Sequence, residues 1–150
     1  MICSLGGATM DDITNIQSFL TPKIKKIFFL YCVAKYPTYP HELNLAFFQK
    51  LQKTYGKNIM GFSSHEDPNE YLSGAISYSM GARIFEKHVG LETKKIKLNK
   101  YSTTSAQMKK WLDHLSLAID RVGSEKNRQN QVQIEKKQLN NFQRGVYLKN

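Results

Sequence analysis

The sequence has no apolar run long enough to cross a membrane. A helical span needs about 18 or more consecutive apolar residues, and the continuous run from Ile27 to Ala34 falls far short. The first residues, Met1 to Gly7, lack the basic and long apolar regions of a secretory leader. Cysteine is scarce. Cys3 and Cys32 each sit inside an apolar run, so they read as buried thiols of a reducing cytoplasm and not as a disulfide framework. Neither sits where a nucleophilic triad would be built. Acidic residues are also few: 12 Asp and Glu stand against 22 Lys and Arg, a net charge of +10. The lysines are scattered and do not interleave with aromatics. The excess therefore reads first as solvated surface, second as a match for an anionic small substrate, and only distantly as a nucleic-acid surface.

What is present is a core-forming chain of 150 residues, 41% hydrophobic, with one domain or part of one as its natural size. Short apolar runs alternate with amphipathic ones. Strands are predicted at Ile2 to Leu5, Ile27 to Ala34, Ile59 to Phe62 and Ala82 to Phe85. Helices follow each. The first opens on the capping pair Thr9 and Asp12. The second carries Leu45, Phe47, Phe48 and Leu51 on one face. The third opens at Pro68 and runs to about Met80. The fourth runs from Ser105 to Val122, with Gly123 ending it. Four strand–helix units imply a parallel sheet with right-handed crossovers. From Ser124 to Gln143 the composition turns to Gln, Asn, Lys and Arg, as in a solvated linker.

In parallel α/β folds ligands bind at the carboxyl ends of the strands. Here those ends carry Ser4-Leu5-Gly6-Gly7, Lys35-Tyr36-Pro37-Thr38, Ser63-Ser64-His65-Glu66 and Glu86-Lys87-His88. If the strands are neighbours, His65 and His88 share one rim, and neutral imidazoles suit a divalent transition ion. Spacing alone leaves the alternatives open: hydrogen-bonded structural histidines, a Ser63-Ser64 helix cap, a tight turn at Gly6-Gly7.

The segments Gly61-Phe62-Ser63-Ser64-His65, Gly81 to His88, Cys32-Val33-Ala34-Lys35-Tyr36-Pro37-Thr38 and Ser4-Leu5-Gly6-Gly7 resemble, in order and spacing, the sialic acid synthase family. The resemblance implies a (β/α)8 TIM barrel, of which residues 1–123 match the second half, strands five to eight. Residues 124–150 would then lead to a small antifreeze-like domain, with Arg144 to Tyr147 at its approach. It implies condensation of phosphoenolpyruvate with N-acetylmannosamine or a related amino sugar, a divalent metal cofactor (Mn2+), and a homodimer when full-length. Position by position, His65 and His88 match metal ligands, and Glu86 matches an active-site carboxylate. Ser4 and Ser63 match phosphate-holding hydroxyls, and Tyr36 matches a sugar contact. Ser64 departs from the family's aspartate before the metal histidine, Ala34 from an asparagine, and 97–102 from its Gly-Pro-Asp; Asn99 is the substitute candidate for the sugar contact. The expectation is a fragment of such an enzyme, inactive alone. The rivals are a non-catalytic half-barrel or assembly subunit, and a basic nucleic-acid-binding module.

Overall fold

A computed structural model describes residues 1–143; the predicted approach at Arg144 to Tyr147 lies outside the described residues. The chain divides into two compact units, the first being Met1–Ile119. In that unit four parallel strands, β1 (Ile2–Ser4), β2 (Phe28–Cys32), β3 (Ile59–Ser64) and β4 (Ile84–Lys87), lie in sequence order. They alternate with helices α1 (Met10–Leu20), α2 (Leu45–Tyr55), α3 (Leu72–Ser79) and α4 (Ser105–Val122). This is a half-barrel.

Period-two alternation sends successive side chains to opposite faces of the sheet. Phe29, Tyr31 and Phe62 join Ile13, Phe48 and Leu51 in one buried core with the helices. Tyr31 Oη donates to the Leu43 carbonyl at 2.6 Å, so the one polar atom of that ring is satisfied inside the core. The other face carries cross-strand rows. Ser4, Leu30, Gly61 and Ile84 form one; Cys32, Ser63 and Glu86 form the next. One step beyond the strand ends, His65 and His88 continue the same face. Gly61 is required in this packing. A Cβ there would stand 2.0 Å from Leu30 Cδ2 and 2.7 Å from the Ile84 carbonyl oxygen.

α1 opens as its sequence predicts. Asp12 N–H donates to Thr9 Oγ1 at 3.2 Å, and Thr9 N–H donates to Asp12 Oδ2 at 2.9 Å. α3 begins at Leu72 and not at Pro68. Asp67 Oδ1 takes the Asn69 N–H at 2.8 Å and closes a turn first; Glu70 Oε1 then takes the Leu72 N–H at 2.8 Å. The stretch read as a linker is largely a helix, α5 (Glu125–Gln143), almost wholly exposed. Its Glu, Lys, Gln and Arg are good helix formers even without an apolar face. Among the described residues no helix is long and apolar enough to cross a membrane.

Candidate active site

His65 and His88 meet at the carboxyl rim of β3 and β4, with ring centroids 5.1 Å apart. His65 is 5% exposed. Its Nδ1 lies 3.2 Å from the Val33 carbonyl oxygen, so this nitrogen carries the proton and Nε2 keeps its lone pair. Cys32 Sγ is 3.7 Å from the same nitrogen. Burial pushes the His65 imidazole below its ordinary value, the Val33 hydrogen bond opposing and His88 assisting. Burial thus favours the neutral ring, the form able to ligate a metal.

The residues present fit a divalent ion. Bonds near 2 Å from each ring let two imidazoles at this separation share one ion, and neutral nitrogen donors suit a borderline transition metal. Among the described residues no cluster of three His, Cys, Asp or Glu side chains forms a fuller cage. Two imidazole donors would leave the remaining coordination positions of such an ion open.

Two loops fix the histidines by the same device. After β2, Thr38 N–H donates to the His65 carbonyl at 2.8 Å, and Tyr36 lays its ring 4.3 Å from that of His65. Before α4, Thr103 N–H and Oγ1 donate to the His88 carbonyl at 2.9 and 2.8 Å, and the Tyr101 ring lies 5.1 Å from that of His88. Both threonines are buried. Tyr36 and Tyr101 are themselves 5.1 Å apart, so the four rings form one cluster. Tyr101 is a residue that sequence reasoning missed. The available signal was the repeat Tyr36-Pro37-Thr38 and Tyr101-Ser102-Thr103.

The other predicted positions divide. Ser63 is buried and sits in register between Cys32 and Glu86. Glu86 shares that face and is exposed. Ser4 is on the same face but one row back, level with Leu30. Asn99 Oδ1 accepts the N–H groups of Tyr101 at 3.1 Å and Ser102 at 2.8 Å, so it builds the turn that presents Tyr101. Ser64 does not cap a helix. Its hydroxyl donates to Glu66 Oε2 at 2.6 Å on the opposite face of the sheet.

Residues 1–127 match the NeuB family. Human N-acetylneuraminate-9-phosphate synthase is 28% identical over 92 residues, 61% of this chain and 25% of that protein. The pseudaminic acid synthase of Campylobacter jejuni strain 81-176 is 28% identical over 151 aligned residues, 97% of this chain and 41% of that protein. A Chromobacterium violaceum protein assigned as spore coat polysaccharide biosynthesis protein E has a similar solved structure. Its TM-score is 0.78 and its identity 35%, over 83% of this chain and 37% of that one. The chain thus spans between a quarter and about two-fifths of these relatives. With the family match covering most of its length and the half-barrel superposing on a solved relative, the chain belongs to the NeuB family.

Proposed function

We propose that this chain supplies the second half, strands five to eight, of a synthase barrel that condenses phosphoenolpyruvate with an amino sugar to give a nonulosonic acid and phosphate. The observation that carries the reading is the His65–His88 pair, 5.1 Å apart on neighbouring strand ends of a NeuB-family chain. The reaction joins the enol carbon of phosphoenolpyruvate to the aldehyde carbon of the open sugar. Water then adds to the resulting oxocarbenium carbon and phosphate leaves. A divalent ion, Mn2+ in our reading, supplies Lewis-acid polarisation of the aldehyde oxygen when bound.

The chain's own groups do the rest. His65 and His88 hold the ion. Ser63, fixed by burial and register, donates its hydroxyl to the phosphate, and Ser4 offers a second hydroxyl one row back. The Glu86 carboxylate, opposite Ser63, stabilises the cationic carbon or moves the proton of the attacking water. Tyr36 and Tyr101 wall the sugar side.

The test is a condensation assay on this chain mixed with the first half-barrel of a full-length relative, with Mn2+, phosphoenolpyruvate and N-acetylmannosamine. Phosphate release that requires both substrates and is lost in His88→Ala supports the reading. Release that persists undiminished in that variant contradicts it.

A further inference from the structure

On the helix side of the sheet, behind the two histidines, Ser64, Glu66 and Ser73 are buried together, with Lys87 half-buried beside them. Glu66 is 0% exposed. Its Oε2 accepts from Ser64 Oγ at 2.6 Å and from Ser73 Oγ in α3. Ser64 Oγ in turn accepts from Lys87 Nζ at 3.4 Å. One hydroxyl therefore donates to the carboxylate two residues beyond it, just past β3, and accepts from the ammonium at the end of β4. Ser64 and Lys87 are register partners on β3 and β4. Each is an immediate or near neighbour in sequence of a histidine: Ser64 and Glu66 flank His65, and Lys87 precedes His88.

Burying such groups costs free energy, so a cluster like this persists where it fixes geometry. Its geometry is specific. The Ser64–Lys87 contact ties the ends of the two histidine-bearing strands to each other. The Ser73 bond ties β3 to the start of α3, and the backbone bridge between Glu66 and Thr38 ties the same point to the loop carrying Tyr36. The other groups facing the cluster are Glu70 and Asp67, whose charges reach Lys87. By strand alternation Ser64 and Lys87 lie on the face opposite Ser63 and Glu86.

We propose that Glu66 is a positioning residue for the two histidines, acting through Ser64 and Lys87 to set the separation and orientation of the imidazoles. The inference rests on the metal-site reading above, and its test is built to fail separately. In the chain as it stands, without metal, nuclear Overhauser contacts between the His65 and His88 ring protons report their proximity. Co2+ titration, read by visible absorption, reports the assembled pair. In Glu66→Gln the ring–ring contact should weaken or vanish, and Co2+ affinity should fall about tenfold or more, the range for residues that support metal ligands from behind. Lys87→Met should do the same. The double variant should fall no further than either single one, because the three side chains act as a unit. Thr9→Ala, a distant helix-cap change, should lower thermal stability and leave Co2+ affinity unmoved; this separates positioning from general loosening. If Glu66→Gln does not fold, Ser73→Ala, which removes one of the two hydroxyls, should give a smaller loss in the same direction. Unchanged ring contacts with Co2+ affinity within twofold in Glu66→Gln overturn the proposal. If the native chain binds no Co2+ at all, the metal reading falls, and the ring contacts alone decide what Glu66 does.

Discussion

Ser4 and Ser63 share one face of the sheet, yet Ser4 is exposed and Ser63 is buried. Burial and register hold the Ser63 backbone between β2 and β4, on the face of the two histidines. In the protein completed by the first half-barrel, Ser63→Ala should weaken phosphoenolpyruvate binding by about 1.5–3 kcal/mol, the range for a hydrogen bond to a charged group; isothermal titration checks it. Glu86→Gln should instead slow turnover with little change in affinity if, as proposed, the carboxylate acts on charge that develops during the reaction. Equal losses in kcat and in binding for both variants would count against these assignments. The places of His65, His88 and Ser63 at one rim were legible in the sequence because polar groups stood where apolar runs stopped, while the roles proposed for them came from the family resemblance. Tyr101 was not, since an aromatic in a loop has no periodicity to betray it. Glu66 stood in the sequence only as the last residue of a polar strand end, and its burial follows from Ser64, Ser73 and Lys87 converging from β3, α3 and β4. Asn99 was placed by its neighbourhood alone, and hydrogen-bond geometry shows its oxygen engaged with its own turn.

Among the elements, α1 was readable because its cap is local. Thr9 and Asp12 name each other three residues apart, and no tertiary contact is needed to recognise them. The Thr9 hydroxyl, and after it the Thr9 backbone, hold the Asp12 carboxyl below the ordinary carboxylate range. With a folded value below the unfolded one, the box contributes fully above that ordinary range and loses its contribution as pH falls through the folded value. Thr9→Ala should cost about 1 kcal/mol at neutral pH. The gap between variant and native unfolding temperatures should narrow as the solution is taken below about pH 4, near the unfolded carboxylate value; thermal melts across pH 3–7 read this directly. α3 was legible in existence but not in onset, because the Asp67 turn competes for the N–H groups that a Pro68 start would use. α5 has the polarity of a linker and no apolar stripe, so only the helix propensity of its Glu, Lys, Gln and Arg marks it as a helix. β3 carries a tighter constraint than its apolar pattern suggests. Gly61→Ala pushes a methyl into Leu30 and the Ile84 carbonyl, and should destabilise the first unit by about 1–3 kcal/mol in urea unfolding.

For the whole molecule, the parallel α/β pattern was readable from the alternation of runs, and the strand order followed the chain. What alternation could not reveal is which face of the sheet lies open. β1 and β4 are the outer strands of a four-stranded sheet, and Met1 and Ile2 are more than half exposed. Unpaired strand edges and an uncovered sheet face invite association. Size-exclusion chromatography with light scattering should therefore find a mass that rises with concentration; a monomer at every concentration that unfolds cooperatively would argue otherwise. The central claim is that His65 and His88 together hold one divalent ion. Electron paramagnetic resonance of free Mn2+, titrated with the chain, tests it most directly. The account predicts loss of the free-ion signal with one site per chain, and no loss with either His65→Ala or His88→Ala at matched folded fraction. A native chain that leaves the signal intact, or single variants that bind as the native chain does, would contradict it.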